Sequence, residues 1–118
     1  MIQRISAVTF AVCDMTRSID FYRKLGFELR YGGDRAAFSS LQCGEAFVNL
    51  VASPGYEYQW WGRAIFRVDD VDAHYLALQA QGLMVESPQD ATWGERFFHV
   101  IDPDGHELSF AVLLQARS

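Results

Sequence analysis

The chain repeats its own order of elements. At an offset of 56 residues Val12 falls on Val68, Asp14 on Asp70 and Gly26 on Gly82, while Ala7 falls on Arg63. The identities are few, but one succession of strand, helix and three strands can be laid over both halves. An internal repeat constrains a fold more strongly than any single motif. With 118 residues the two copies form one ordinary domain, since neither half is long enough for an independent core.

The elements follow from periodicity. Ile5 to Val12 alternates, with Val8, Phe10 and Val12 on one face and Ala7, Thr9 and Ala11 on the other. Asp14 or Thr16 then caps a helix that carries Ile19, Phe21, Tyr22 and Leu25 and stops at Gly26. Three strands are expected at Phe27 to Tyr31, Ala37 to Leu41 and Ala46 to Val51, with turns at Gly32-Gly33-Asp34 and Cys43-Gly44. Ser53-Pro54-Gly55 ends that half. In the second half Arg63 to Val68 alternates, and Asp70 or Asp72 caps a helix with Val71, Tyr75, Leu76 and Leu78 that ends at Gly82. Strands at Met84 to Glu86, Arg96 to Ile101 and Glu107 to Leu113 complete the repeat, the last two joined by the turn Asp102-Pro103-Asp104-Gly105. The expected division is a first module over 1–52, a connecting loop over 53–62 and a second module over 63–118.

Charge and composition narrow the partners. Asp plus Glu is 15 against 10 for Lys plus Arg, a net charge of −5, which argues against nucleic acid and gives no hint of an anionic membrane surface. No apolar run is long enough to span a membrane, and the opening Met1-Ile2-Gln3-Arg4 has no signal-peptide pattern. Cys13 and Cys43 form no metal-binding spacing and read as free thiols packed in a reducing cytoplasm. Seventeen aromatic residues (Phe 9, Tyr 5, Trp 3) exceed what a small core needs, so some are expected to line a site for flat or apolar ligands.

A sheet covered by helices on one face buries that face and leaves the other. Alternation places Val8, Phe10, Val12, Ala64, Phe66, Val68, Leu108, Phe110 and Val112 toward the helices. The opposite face then carries Ala7, Thr9 and Ala11, and from the other strands a mixed pocket of Phe47, Phe97, Asn49, Arg63, Arg67, His99, Glu107 and Ser109. His99 is either a hydrogen-bonded core histidine or a ligand contact. Arg63 either pairs with Glu107 or Glu95 or meets an anionic ligand group. His106 is expected at solvent or at a helix end, and His74 on the surface of its helix.

These residues together resemble the vicinal oxygen chelate superfamily, which includes glyoxalases, bleomycin resistance proteins and extradiol dioxygenases. The carriers are Val12-Cys13-Asp14-Met15, Ser18-Ile19-Asp20-Phe21-Tyr22 and Leu25-Gly26-Phe27, then Val68-Asp69-Asp70-Val71, Gly82 and Asp102-Pro103-Asp104-Gly105-His106. The resemblance covers essentially the whole chain and implies an α+β fold. Two βαβββ modules would form a half-barrel concave sheet with helices on the outer face, usually as a homodimer.

Metal enzymes of the superfamily place His, Gln or Glu ligands at four inward positions, which read here as Ala7, Asn49, Arg63 and Ser109. Alanine has no donor and arginine stays protonated, so the resemblance implies neither a metal nor another cofactor at those positions. It points instead to the bleomycin-resistance branch, on Phe38 with Leu41-Gln42-Cys43-Gly44-Glu45, on Asn49-Leu50-Val51-Ala52-Ser53-Pro54-Gly55 and on Trp93-Gly94. In that branch aromatic side chains line a groove at the dimer interface. The corresponding residues are Phe38 and Trp93, with Trp60 and Trp61 on the connecting loop. The expected function is sequestration of a partly aromatic small molecule, an antibiotic among the options, by Phe38, Phe47, Asn49, Trp60, Trp61, Arg63, Trp93, His99, Glu107 and Ser109, without metal and with no catalytic residue assigned. The alternative is a metal-dependent lyase or oxygenase whose ligands are drawn from His99, Glu107, Asn49 and His106.

Overall fold

Each half of the chain builds a four-stranded mixed sheet with one helix against one face. The computed structural model describes residues 1–114, so the last four residues of the expected second module lie outside it. In chain order the elements are β1 (Ala7–Val12), α1 (Met15–Leu25), β2 (Glu28–Tyr31), β3 (Phe38–Cys43), β4 (Ala46–Ala52), β5 (Arg63–Arg67), α2 (Val71–Ala80), β6 (Gln89–Asp90), β7 (Glu95–Ile101) and β8 (Glu107–Leu113). The strand orders are β1-β4-β3-β2 and β5-β8-β7-β6, both open, with β1 parallel to β4 and β5 parallel to β8. The chain divides into two compact units. The first is Met1–Trp60 together with Asp102–His106, and the second is Trp61–Ile101 with the chain from Glu107 onward.

In the first unit Asp14 accepts the Arg17 amide at 3.1 Å and starts α1, and Gly26 at φ 113° ends it in the left-handed region. Met15, Ser18, Ile19, Tyr22 and Leu25 form its buried stripe, at the spacing of one helical face. That stripe covers Phe10, Val12, Leu41, Val48 and Leu50, all buried. The register Thr9↔Asn49↔Ser40 then turns Thr9, Asn49 and Ser40 to the other face.

In the second unit Asp70 caps α2 through the Ala73 amide at 3.0 Å, and the helix ends at Gln81, one residue before Gly82. Ala64, Phe98, Val100, Leu108 and Phe110 form the buried face of the sheet, and Val71 and Leu78 that of the helix. The expectation for His74 is corrected: its ring packs on Phe110 and Phe98 with centroids 4.6 and 6.3 Å away. It lies one turn after Val71 and one before Leu78, on the covered face. The expected strand at Met84 to Glu86 is also corrected. The edge strand is Gln89–Asp90, and its pairing is held by Arg96, which donates to Asp90 at 3.0 Å and to Asp72 on α2 at 2.9 Å. An arginine fork between two carboxylates fixes a register that three residues of weak alternation do not.

Candidate functional site

The uncovered face of the second sheet carries the richest chemistry. Registers Arg63↔Glu107, Ile65↔Ser109↔His99 and Ala111↔Phe97 bring side chains from three strands into adjacent rows. Arg63 Nη2 donates to Glu107 Oε1 at 2.7 Å, so the arginine takes the first of its two expected partners. His99 Nδ1 lies 2.6 Å from Ser109 Oγ, and Ser109 is buried. The His99 ring leans on Phe97 at 4.9 Å between centroids, and Phe97 stacks on Trp93 at 5.9 Å and 20° between planes. Trp93 is tethered by its indole N–H to Glu95 at 2.8 Å. Trp93, Phe97 and His99 thus form a ladder of rings along one strand and the turn before it.

Two cavities open on this face. One of about 550 Å³ is lined by Arg63, Met84, Val85, Glu86, His99, Ile101 and Glu107. A smaller one of about 80 Å³ touches Arg63, Trp93, Phe97, His99 and Ser109. The Met84–Glu86 segment, expected as a strand, is a wall of the larger cavity. Nothing in its three residues marked it for that role. Burial, and then the charge of Arg63, hold His99 below the ordinary histidine value of 6.5, with Glu86 and Glu107 opposing. The imidazole is therefore neutral at pH 7, with one ring nitrogen a donor and the other an acceptor.

The first unit presents its own uncovered face. Ser40 Oγ donates to Asn49 Oδ1 at 2.7 Å, and Asn49 Nδ2 reaches Thr9 Oγ1 at 3.5 Å. Phe38, half-exposed, tilts against Tyr31 at 6.2 Å, and Phe47 is similarly exposed at the register position of Ala7. Ser40 and Asn49 occupy the ladder positions that His99 and Ser109 occupy in the second sheet, and Phe38 matches Phe97. Trp60 and Trp61 are exposed on the connecting segment, and neither lines the two cavities described.

His106 departs from expectation. It is buried in the first unit with Nε2 2.7 Å from Ala11 O, its ring stacked on Phe10 at 5.0 Å and against Tyr56 and Tyr58. The preceding turn folds back onto its own unit, which a reading of the turn as a simple reversal does not reveal. His106 is thereby committed to the core and removed from the alternative ligand set.

The family model for the glyoxalase/bleomycin resistance protein/dioxygenase superfamily matches residues 4–110. The chain belongs to that superfamily. Solved structures agree in fold. A glyoxalase family protein from Bacillus anthracis shares 20% identity over 96% of this chain and 97% of its own, with a TM-score of 0.79. The bleomycin resistance determinant encoded on transposon Tn5 shares 22% identity over 94% and 98%, also at 0.79. An integron cassette protein from the mobile metagenome of a Halifax Harbour sewage outfall shares 27% identity over 95% and 100%, again at 0.79. No curated protein matches the chain.

The superfamily's metal positions can be tested on the side chains present. Ala7 offers no donor atom. Arg63 is a fixed cation engaged with Glu107. Asn49 and Ser109 are neutral and hydrogen-bonded to Ser40 and His99. Among the described residues no three His, Cys, Asp or Glu side chains gather where they could hold a metal ion. A divalent cation needs several lone-pair donors and a deprotonated ligand set, and a guanidinium repels it, so these residues do not fit the superfamily's metal centre.

Proposed function

We propose that this superfamily member is a binding protein that sequesters a small, partly aromatic molecule, an antibiotic among the candidates, as a homodimer and without a metal. The observation that carries the reading is the ring ladder Trp93–Phe97–His99, whose His99 end lines a cavity of about 550 Å³ and whose three rings line a second of about 80 Å³. Stacked rings with one exposed end offer a flat ligand a further stacking position. Each such contact contributes about 0.5–1.5 kcal/mol beyond area burial. The hydrogen-bonding groups Arg63, His99 and Glu107 at the cavity wall supply orientation, as small-molecule sites require. The kinship with a bleomycin resistance determinant supports the ligand class. Two free thiols, Cys13 and Cys43, support action in a reducing cytoplasm, and no helix among the described residues is long and apolar enough to cross a membrane.

Tryptophan fluorescence titrated with bleomycin-type and quinoxaline compounds tests the reading. Saturable quenching that is lost in Trp93→Ala and kept in Trp60→Phe supports it. Absence of saturation across the panel, or a stoichiometric transition metal in protein purified without a histidine tag, overturns it.

A further inference from the structure

Ser109 determines which proton His99 carries. Ser109 is 2% exposed as a residue, and among the described residues its hydroxyl has its hydrogen bond with His99 Nδ1 at 2.6 Å. If Nδ1 held the proton and donated it, the hydroxyl hydrogen of Ser109 would be left buried without an acceptor. A buried donor without a partner is expensive, so the serine donates and Nδ1 accepts. Neutral imidazole carries one proton, which then sits on Nε2. His99 is held neutral, as burial and the Arg63 charge both disfavour the imidazolium. With Nδ1 turned to Ser109, Nε2 is the ring nitrogen left for the cavities that His99 lines. It has no hydrogen-bond partner among the described residues and is not a buried unsatisfied atom, so it reaches solvent. The cavity therefore meets a ligand with an N–H donor at His99, next to the guanidinium of Arg63.

The charges around these donors limit what can be received. Arg63 is balanced by Glu107 at 2.7 Å, and Glu86 adds a second carboxylate at the wall of the larger cavity. An anionic ligand group would face two carboxylates with one guanidinium already engaged. A cationic group would be attracted by the carboxylates but repelled by the Arg63 guanidinium, and would leave the His99 N–H without an acceptor. An uncharged oxygen acceptor satisfies both donors and meets neither penalty.

We infer that this site takes a planar aromatic carbonyl compound, whose uncharged oxygen accepts hydrogen bonds from His99 Nε2–H and Arg63 while its rings fill the larger cavity beside the His99 end of the ladder. The inference rests on the binding reading above and adds the ligand class.

Equilibrium dialysis of the full chain against four flat probes tests it: 9-fluorenone, fluorene, fluorene-2-carboxylate and the proflavine cation. Fluorenone should bind at least about fivefold more tightly than fluorene, the worth of one net hydrogen bond of the two assigned, and more tightly than either charged probe. His99→Phe keeps a ring and removes one of the two donors, so it should cut the preference for fluorenone over fluorene by about fivefold, the worth of one net hydrogen bond. Equal affinity for fluorenone and fluorene overturns the carbonyl inference and leaves the binding reading intact, as does tighter binding of proflavine or the carboxylate. Binding of none of the four removes both. A long-range nitrogen–proton NMR spectrum of the unliganded wild-type protein provides a test independent of any variant's folding. The expected result is a protonated Nε2 and a bare Nδ1 on His99, and the reverse tautomer overturns the inference.

Discussion

The Tyr22 phenol on α1 donates a 2.8 Å hydrogen bond to Asp102 Oδ2, in the turn that belongs to the same compact unit although it lies 80 residues further along the chain. The other oxygen of Asp102 accepts the amides of Asp104 at 2.9 Å and His106 at 2.8 Å. Asp104 in turn accepts the Cys13 amide at 2.9 Å and Arg17 at 3.3 Å. The Asp-Pro-Asp-Gly sequence is thus a reversal whose two carboxylates also anchor it, Asp104 against the start of α1 and Asp102 against its later turns.

Tyr22→Phe removes the phenol and leaves Asp102 Oδ2 without its donor in a buried setting. The expected loss is about 1–3 kcal/mol of unfolding free energy, with little change in fold. Urea denaturation followed by circular dichroism measures it, and a loss under about 0.5 kcal/mol would show that water replaces the phenol.

Asp102 gives a pH signature. Burial raises its pKa above the usual carboxylate value of 3.8, and the hydrogen bonds from Tyr22 and the His106 amide offset only part of that. A carboxyl with a raised folded-state pKa binds more protons in the folded than in the unfolded chain. Stability attributable to it therefore falls as pH rises from the ordinary carboxylate value through the raised one. Asp102→Asn cannot ionise, so wild type should lose stability relative to this variant as the pH climbs through that window. Parallel urea curves at a series of pH values test it, and a constant difference would mean that Asp102 titrates normally.

Much of the architecture could be read from local chemistry. Asp14, Asp70 and Gly26 act as the caps and stop that their residue types announce, because capping depends on a few neighbouring backbone groups. Alternation placed Arg63, Phe97, His99, Glu107 and Ser109 on one face, since a strand has no other way to dispose its side chains. Long-range pairing was out of reach. The edge strand Gln89–Asp90 depends on the Arg96 fork, and the burial of His106 depends on a turn docked by Tyr22. Met84 to Glu86 became a cavity wall rather than a strand, and only the folded chain reveals that.

His99 should titrate below 6.5 in the folded protein, because burial and Arg63 disfavour its charged form. A base with a lowered folded-state pKa binds fewer protons when folded, so stability linked to it is lost as pH falls from 6.5 through the lowered folded-state value. Arg63→Met removes the nearby cation but not the burial, and should move the midpoint part of the way back up. Proton NMR of the His99 ring across the pH range follows both proteins. A midpoint unchanged by the substitution would mean that Arg63 exerts no field at the imidazole.

The proposed homodimer can be tested on the same sheet face. Ile65, Ile101 and Leu113 are all more than half exposed there, and Trp93 is 69% exposed. Apolar side chains clustered on one face favour a partner surface, and a second copy needs to cover only about 800 Å² per subunit for stable association. Light scattering at micromolar concentration should give about twice 13.4 kDa. Ile65→Glu and Leu113→Glu place a charge on this face without touching the helix-covered core, so each should shift the mass toward the monomer while the circular dichroism spectrum stays unchanged. A wild-type mass near 13.4 kDa would exclude the homodimer at that concentration, and a dimer that survives both substitutions would place the interface on another surface.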